Sequence, residues 1–98
     1  MTITAEPEAA GRLQRALGTF QKGQGMLLAA HRKLQGLPQE EVGHFWLSAG
    51  ARLETHMNTT AAEVAAAFKA FSAAGLVASA NDRHLVSEAQ RHLAQRGR

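Results

Sequence analysis

Apolar residues recur at helical spacing through most of the chain, and the places where that spacing breaks set the predicted elements. Leu13, Leu17 and Phe20 fall at i, i+4 and i+7, which makes one apolar stripe, while Arg12, Arg15 and Lys22 cluster on a different face. Pro7 suits a first helical turn, with Glu6 and Glu8 near the positive end of the helix dipole. Gly23 and Gly25 follow, each costing a helix interior about 1 kcal/mol relative to Ala. The pattern therefore predicts a bend or break at 23–25 and a second helix through Met26, Leu27, Ala30 and Leu34, stopped by Gly36 with Pro38 beyond.

The segment 39–47 fits two forms. Pro38 with Glu40 and Glu41 can open a short helix, and His44-Phe45-Trp46-Leu47 can form a short strand; the reading adopted is a turn and then a strand-like segment. Ser48 is a candidate N-cap for a helix carrying Leu53 and Met57, with Asn58 tolerating the left-handed conformation that ends a helix. Thr60-Ala61-Ala62-Glu63 has the form of a capping box, opening a helix with Val64, Phe68 and Phe71 that ends near Gly75. Two helices joined by so short a turn define a helix-turn-helix. Beyond it, residues 76–80 and 83–87 flank Asn81-Asp82, a pair that tolerates positive φ, and the expectation is a β-hairpin with Val77 opposite Val86. Residues 88–95 close as a short helix containing Leu93.

This order of elements resembles the winged helix-turn-helix of catabolite-activator-type and MarR-type bacterial regulators. The likeness covers about residues 48–95 and rests on Leu53, Met57 and Val64 at buried positions, Phe68 and Phe71 on the second helix, and Ala74-Gly75-Leu76-Val77 leading to the wing. It implies a mainly α fold with a small β-hairpin wing: a helical extension over 1–36, interrupted near 23–25, then a winged helix over 37–98. Implied with it is a small transcriptional regulator contacting duplex DNA mainly through phosphates. Thr59 and Thr60 would approach the groove, and Lys69, Arg83, Arg91 and Arg96 would meet phosphates. The second helix departs from the family, since Ala61, Ala62, Ala65, Ala66 and Ala70 stand where side chains that hydrogen-bond to base edges belong. The alternative is a winged helix used for protein–protein contact, its Ala-rich helix letting another element approach closely. Pairing of two copies through Leu13, Leu17 and Phe20 is expected in either case.

Charge divides the chain into three. The overall +3 is the balance of basic ends, +3 over residues 1–39 and +3 over 89–98, around a middle of −3 over 40–88. Basic ends fit nucleic acid or an acidic partner.

Other chemistry finds little support. His31, His44, His56, His84 and His92 include no HExxH motif and no i, i+4 pair, so no metal is expected. Ser48, Ser72, Ser79 and Ser87 lack a nucleophile context, no phosphate-binding glycine loop follows a strand, and neither an enzyme nor a cofactor is expected. A central Trp46 is similar to that of the small WXG-type secretion substrates, which are helical hairpins with a central Trp-x-Gly. Leu47 and Ser48 follow it here, so the glycine is missing, and Trp46 reads instead as a core aromatic. Absence of cysteine fits a reducing compartment. The first residues lack a basic segment before an apolar run, and no apolar stretch is long enough to span a bilayer, so a cytoplasmic protein is expected.

Overall fold

The computed structural model describes residues 5–96, with side chains from 8 to 95. Four helices follow one another: α1 (Ala5–Leu34), α2 (Gln39–Leu47), α3 (Ala49–Ala73) and α4 (Ala80–Arg96). No strand occurs among the described residues, so the winged helix expected from the sequence is absent and only its mainly α character holds.

Each correction has a local cause. The helix α1 runs unbroken through Gly23 and Gly25, because α3 packs against it at Gly23: a Cβ there would lie 2.6 Å from Met57 Sδ. Close helix contact offsets the poor propensity of glycine. The predicted turn at Asn58-Thr59-Thr60 lies inside α3. Met57, Thr60, Ala61, Val64, Ala67 and Phe71 make one buried stripe of continuous helical period across it. Thr60 does not cap a helix; its hydroxyl donates to the Met57 carbonyl at 3.1 Å, and Asn58 Oδ1 lies 2.7 Å from His92 Nε2 on α4. The expected hairpin is the first part of α4. Ser79 caps that helix, its Oγ accepting from the Asp82 N–H at 3.1 Å, and Asp82 lies in the favoured acidic first turn. Segment 39–47 is helical, its first turn carrying Glu40 and Glu41 after Pro38.

Two glycines make the connections. Gly36, with φ of 83°, lets the chain turn after α1. Gly75, with φ of 82°, ends α3 in a Schellman motif: the Leu76 N–H donates to Phe71 O at 3.3 Å and the Gly75 N–H to Ser72 O at 2.9 Å. Between α2 and α3 only Ser48 leaves the helix. Its hydroxyl donates back to His44 O at 2.8 Å and leaves the α3 N-terminus without a side-chain cap.

Packing makes an antiparallel pair with a third helix laid on it. Arg12 meets Glu63 while Gly23 meets Met57, so α1 and α3 run in opposite directions. Gln14 donates to Asp82 at 2.8 Å and Gln24 to Glu88 at 3.1 Å, so α4 runs alongside α1 in the same direction. The core joins Leu13, Ala16, Leu17 and Phe20 of α1 to the α3 stripe and to Leu85, Val86 and Ala89 of α4. The stripe assigned from sequence to a second copy is therefore spent within the chain: Leu13, Leu17 and Phe20 are at most 2% exposed.

That core occupies one end of a molecule 60 × 23 × 20 Å in extent. Along α1 the buried positions stop at Gly23, α2 has none, and the first part of α3 has only Gly50 before Met57. Trp46 is half-buried, not part of the core. Its ring lies against Gly50, 5.0 Å from Phe45 in an edge-on arrangement and 5.2 Å from the His31 ring. Nothing larger than glycine fits at position 50 unless both aromatic rings move.

Candidate interaction groove

Because α1 does not bend, its second half presents apolar residues in a new direction. At about 100° per residue, the Met26, Ala30 and Leu34 stripe lies roughly 100° around the helix from Leu13, Leu17 and Phe20. The first stripe faces α3; the second faces outward. Beside it α2 folds back, resting on α3 through Trp46, Phe45 and Gly50. A groove of about 810 Å³ is left between the two. Ala29, Ala30 and Leu34 form one side of its floor and Phe45 the other. Met26 and Leu37, both 44% exposed, stand at its margins. Along α1 it runs from Met26 to Leu34, about 12 Å at 1.5 Å per residue, roughly two turns of a second helix.

The walls carry opposite charge. Lys33 lines the α1 side, in a last turn that also holds His31 and Arg32. Glu40 and Glu41 line the α2 side. Among the described residues, no ion pair joins Lys33 to either glutamate. The groove is thus an apolar trough between a basic and an acidic rim, and Lys33, Glu40 and Glu41 form no ion pair among the described residues.

The residues expected to contact DNA do not converge. Thr59 is exposed on α3 and Thr60 is buried beneath it; both border a cleft on the α1–α3 face with Arg15 and Thr19. Lys69 is exposed further along α3, and Arg83 and Arg91 are exposed on α4. Arg91 borders a different groove, with Leu28 and Gln95. The side chain of Arg96 lies outside the described residues. Among the described residues, the two helices expected to form the helix-turn-helix are one continuous helix, α3.

One basic residue of the predicted positive face is neutralised. Arg12 donates from Nε to Glu63 Oε2 at 2.8 Å and from a terminal nitrogen to Glu63 Oε1 at 3.0 Å, a two-pronged pair between α1 and α3. The hydrogen bond from Arg12 holds the Glu63 carboxyl below the usual carboxylate range, against a smaller opposing effect of burial; the same bond raises the Arg12 guanidinium. Glu63 therefore serves a partner 51 positions away in sequence, not the backbone of its own helix.

No family model matches the chain, and no curated protein or solved structure matches it. The geometry stands on its own. Among the described residues, no helix is long and apolar enough to cross a membrane, and no three histidine or acidic side chains gather to hold a metal ion.

From the sequence, Met26, Ala30 and Leu34 are expected only as members of a second helix after a break at 23–25. The available signal was their angular offset from the first stripe, which acquires meaning only if the helix continues through Gly23 and Gly25.

Proposed function

We propose that this chain is a helical protein-interaction module that receives another helix in the groove between α1 and α2. The observation that carries the reading is the groove itself. About two turns of apolar floor lie open at the end of the molecule where the chain builds no core of its own. Amphipathic helices dock into such troughs through anchors at i, i+3, i+4 and i+7. Small side chains at Ala29 and Ala30 allow close approach. DNA binding has less support, because the resemblance that suggested it depended on a turn inside α3 and on a wing, and both segments are helical. Lack of cysteine fits a reducing compartment, and the cytoplasm is the proposed location.

A photo-reactive amino acid placed at Leu37, and separately at Lys69, tests the reading. Cross-links to protein from position 37 and not from position 69 support it; equal yields from both, or none from either, overturn it. A titration against a mixed-sequence duplex at low salt runs beside it. Saturable binding that weakens in Arg83→Ala and Arg91→Ala would restore the DNA reading in its place.

A second reading is favoured by one observation: α1 and α3 form a helical hairpin with Trp46 near its bend. That is the shape of the WXG-type secretion substrates the chain resembles in its central tryptophan. The motif's glycine is missing at Ser48, and Gly50 lies against the Trp46 ring instead. Location separates the two readings: recovery of the intact chain from the medium of growing cells supports the second, and retention in the cytoplasm supports the first.

A further inference from the structure

We infer that the occupant of the groove is a second copy of this chain, paired across a twofold axis so that the Lys33 rim of each copy meets the Glu40–Glu41 rim of the other. The inference rests on the interaction reading above and names its partner.

Charge carries the argument. A twofold interface brings one surface against itself, so it must be self-complementary. An all-acidic or all-basic rim repels its own copy; a groove with one rim of each sign does not. Rotating the arm 26–48 about an axis through the middle of the groove lays the α1 wall over the partner's α2 wall. Lys33 then lies across from Glu40 and Glu41 of the other copy, and the two ion pairs form symmetrically. Within one copy these charges have no ion-pair partner among the described residues. The last turn of α1 adds Arg32, and the first turn of α2 holds two acids and no base; His44 lines the same wall in the last turn of α2, away from the two glutamates.

Apolar contact comes from the same operation. The partner's α2 lies over Ala29 and Ala30 of each copy, where no long side chain keeps the backbones apart. Met26, Leu34 and Leu37 of each copy cover Phe45 of the other. The paired arms make a four-helix cluster, giving this end of the molecule the core that one copy lacks. An interface limited to these arms sits near the low end of stable ones, about 1,200 Å² in total. A weak association, strengthened by low salt, is therefore expected.

The experiment is sedimentation velocity on the full chain from about 1 to about 500 µM. A monomer–dimer equilibrium is expected. Lys33→Glu should weaken it at least ~10-fold, as should the double variant Glu40→Lys with Glu41→Lys, because like charges then face across the axis. An equimolar mixture of the two variants should recover a dimer at the parent concentration range. All three positions are exposed, and an unchanged circular dichroism spectrum confirms that the variants fold. A parent that stays monomeric at the highest concentration overturns the inference, as does a dimer that Lys33→Glu leaves intact or a mixture that fails to pair. The interaction reading is judged apart from it. If the parent is monomeric and position 37 still cross-links to a different protein, that reading stands while the second copy is excluded; if position 37 captures nothing, both fall.

Discussion

Gly23 of α1 and Met57 of α3 touch at the point where the core ends, and no side chain fits between them without displacing the Met57 sulfur. Gly25, two residues on, has nothing within 4 Å of where a Cβ would stand. The two glycines thus occupy one helix for different reasons. Gly23→Leu should destabilise the fold by about 2–3 kcal/mol through overpacking. Gly25→Ala should stabilise it by up to about 1 kcal/mol through helix propensity alone. Urea denaturation of the two variants checks this, and equal effects would mean that α3 does not pack at Gly23.

Ser79 and Asn81 separate a helix start from a hairpin. Ser79→Ala removes the acceptor for the Asp82 N–H and should lower stability by about 1 kcal/mol. Asn81 is exposed in the first turn of α4, so Asn81→Val should change stability by no more than about 0.5 kcal/mol. A two-residue turn with positive φ would give the reverse order, with valine strongly unfavourable. Thermal melts of both variants decide between them.

Acidification should act through Glu63. Its carboxyl is held below the usual range in the folded protein, so its contribution is complete above the unfolded value and is lost as pH falls through the folded one. Arg12 is shifted the other way: its share is present below its ordinary value and disappears only in strong alkali, outside the working range. The parent should therefore lose more melting temperature between neutral pH and the acid side of the carboxylate range than Glu63→Gln does. The pair is partly exposed, so the difference is small and shrinks with added salt. Parallel acid limbs for the two proteins would show that the pair contributes nothing in solution.

Leu17 is buried between helices, and Leu17→Ala should cost about 2–5 kcal/mol. For the same reason, deleting residues 1–22 should abolish cooperative unfolding, since it removes the whole α1 share of the core. A truncated chain that melts cooperatively would show that α3 and α4 form a domain alone.

Helical period made the helical character of residues 5–34 and the apolar stripes of α3 legible in the sequence, though not the continuity of α1. Three of the features misread show the physical reason most directly. Asn58, Thr59 and Thr60 are turn-forming by local preference, but the stripe from Met57 to Phe71 keeps its period through them, and tertiary packing prevails over propensity. Asn81-Asp82 is as good a helix N-terminus after Ser79 as it is a hairpin loop, and only the hydrogen bond from Asp82 distinguishes the two. Gly23 and Gly25 look alike in sequence and differ in what faces them. The groove was hidden behind that last error, because a broken α1 gives its second half no fixed direction. The Arg12–Glu63 pair joins positions 51 apart and has no local signature at all.

A core confined to one end leaves the molecule with a gradient of local stability along its length. Backbone amides of α1 near Leu17 and of α3 near Val64 can exchange with solvent only when the whole structure opens. Those of α2, with no buried residue of its own and a single-residue joint at Ser48, can be released by a small excursion of one short helix. Anything that clasps the open end slows that excursion first, so deuterium uptake in residues 39–47 reports occupancy of the groove while the amides at the far end stay silent.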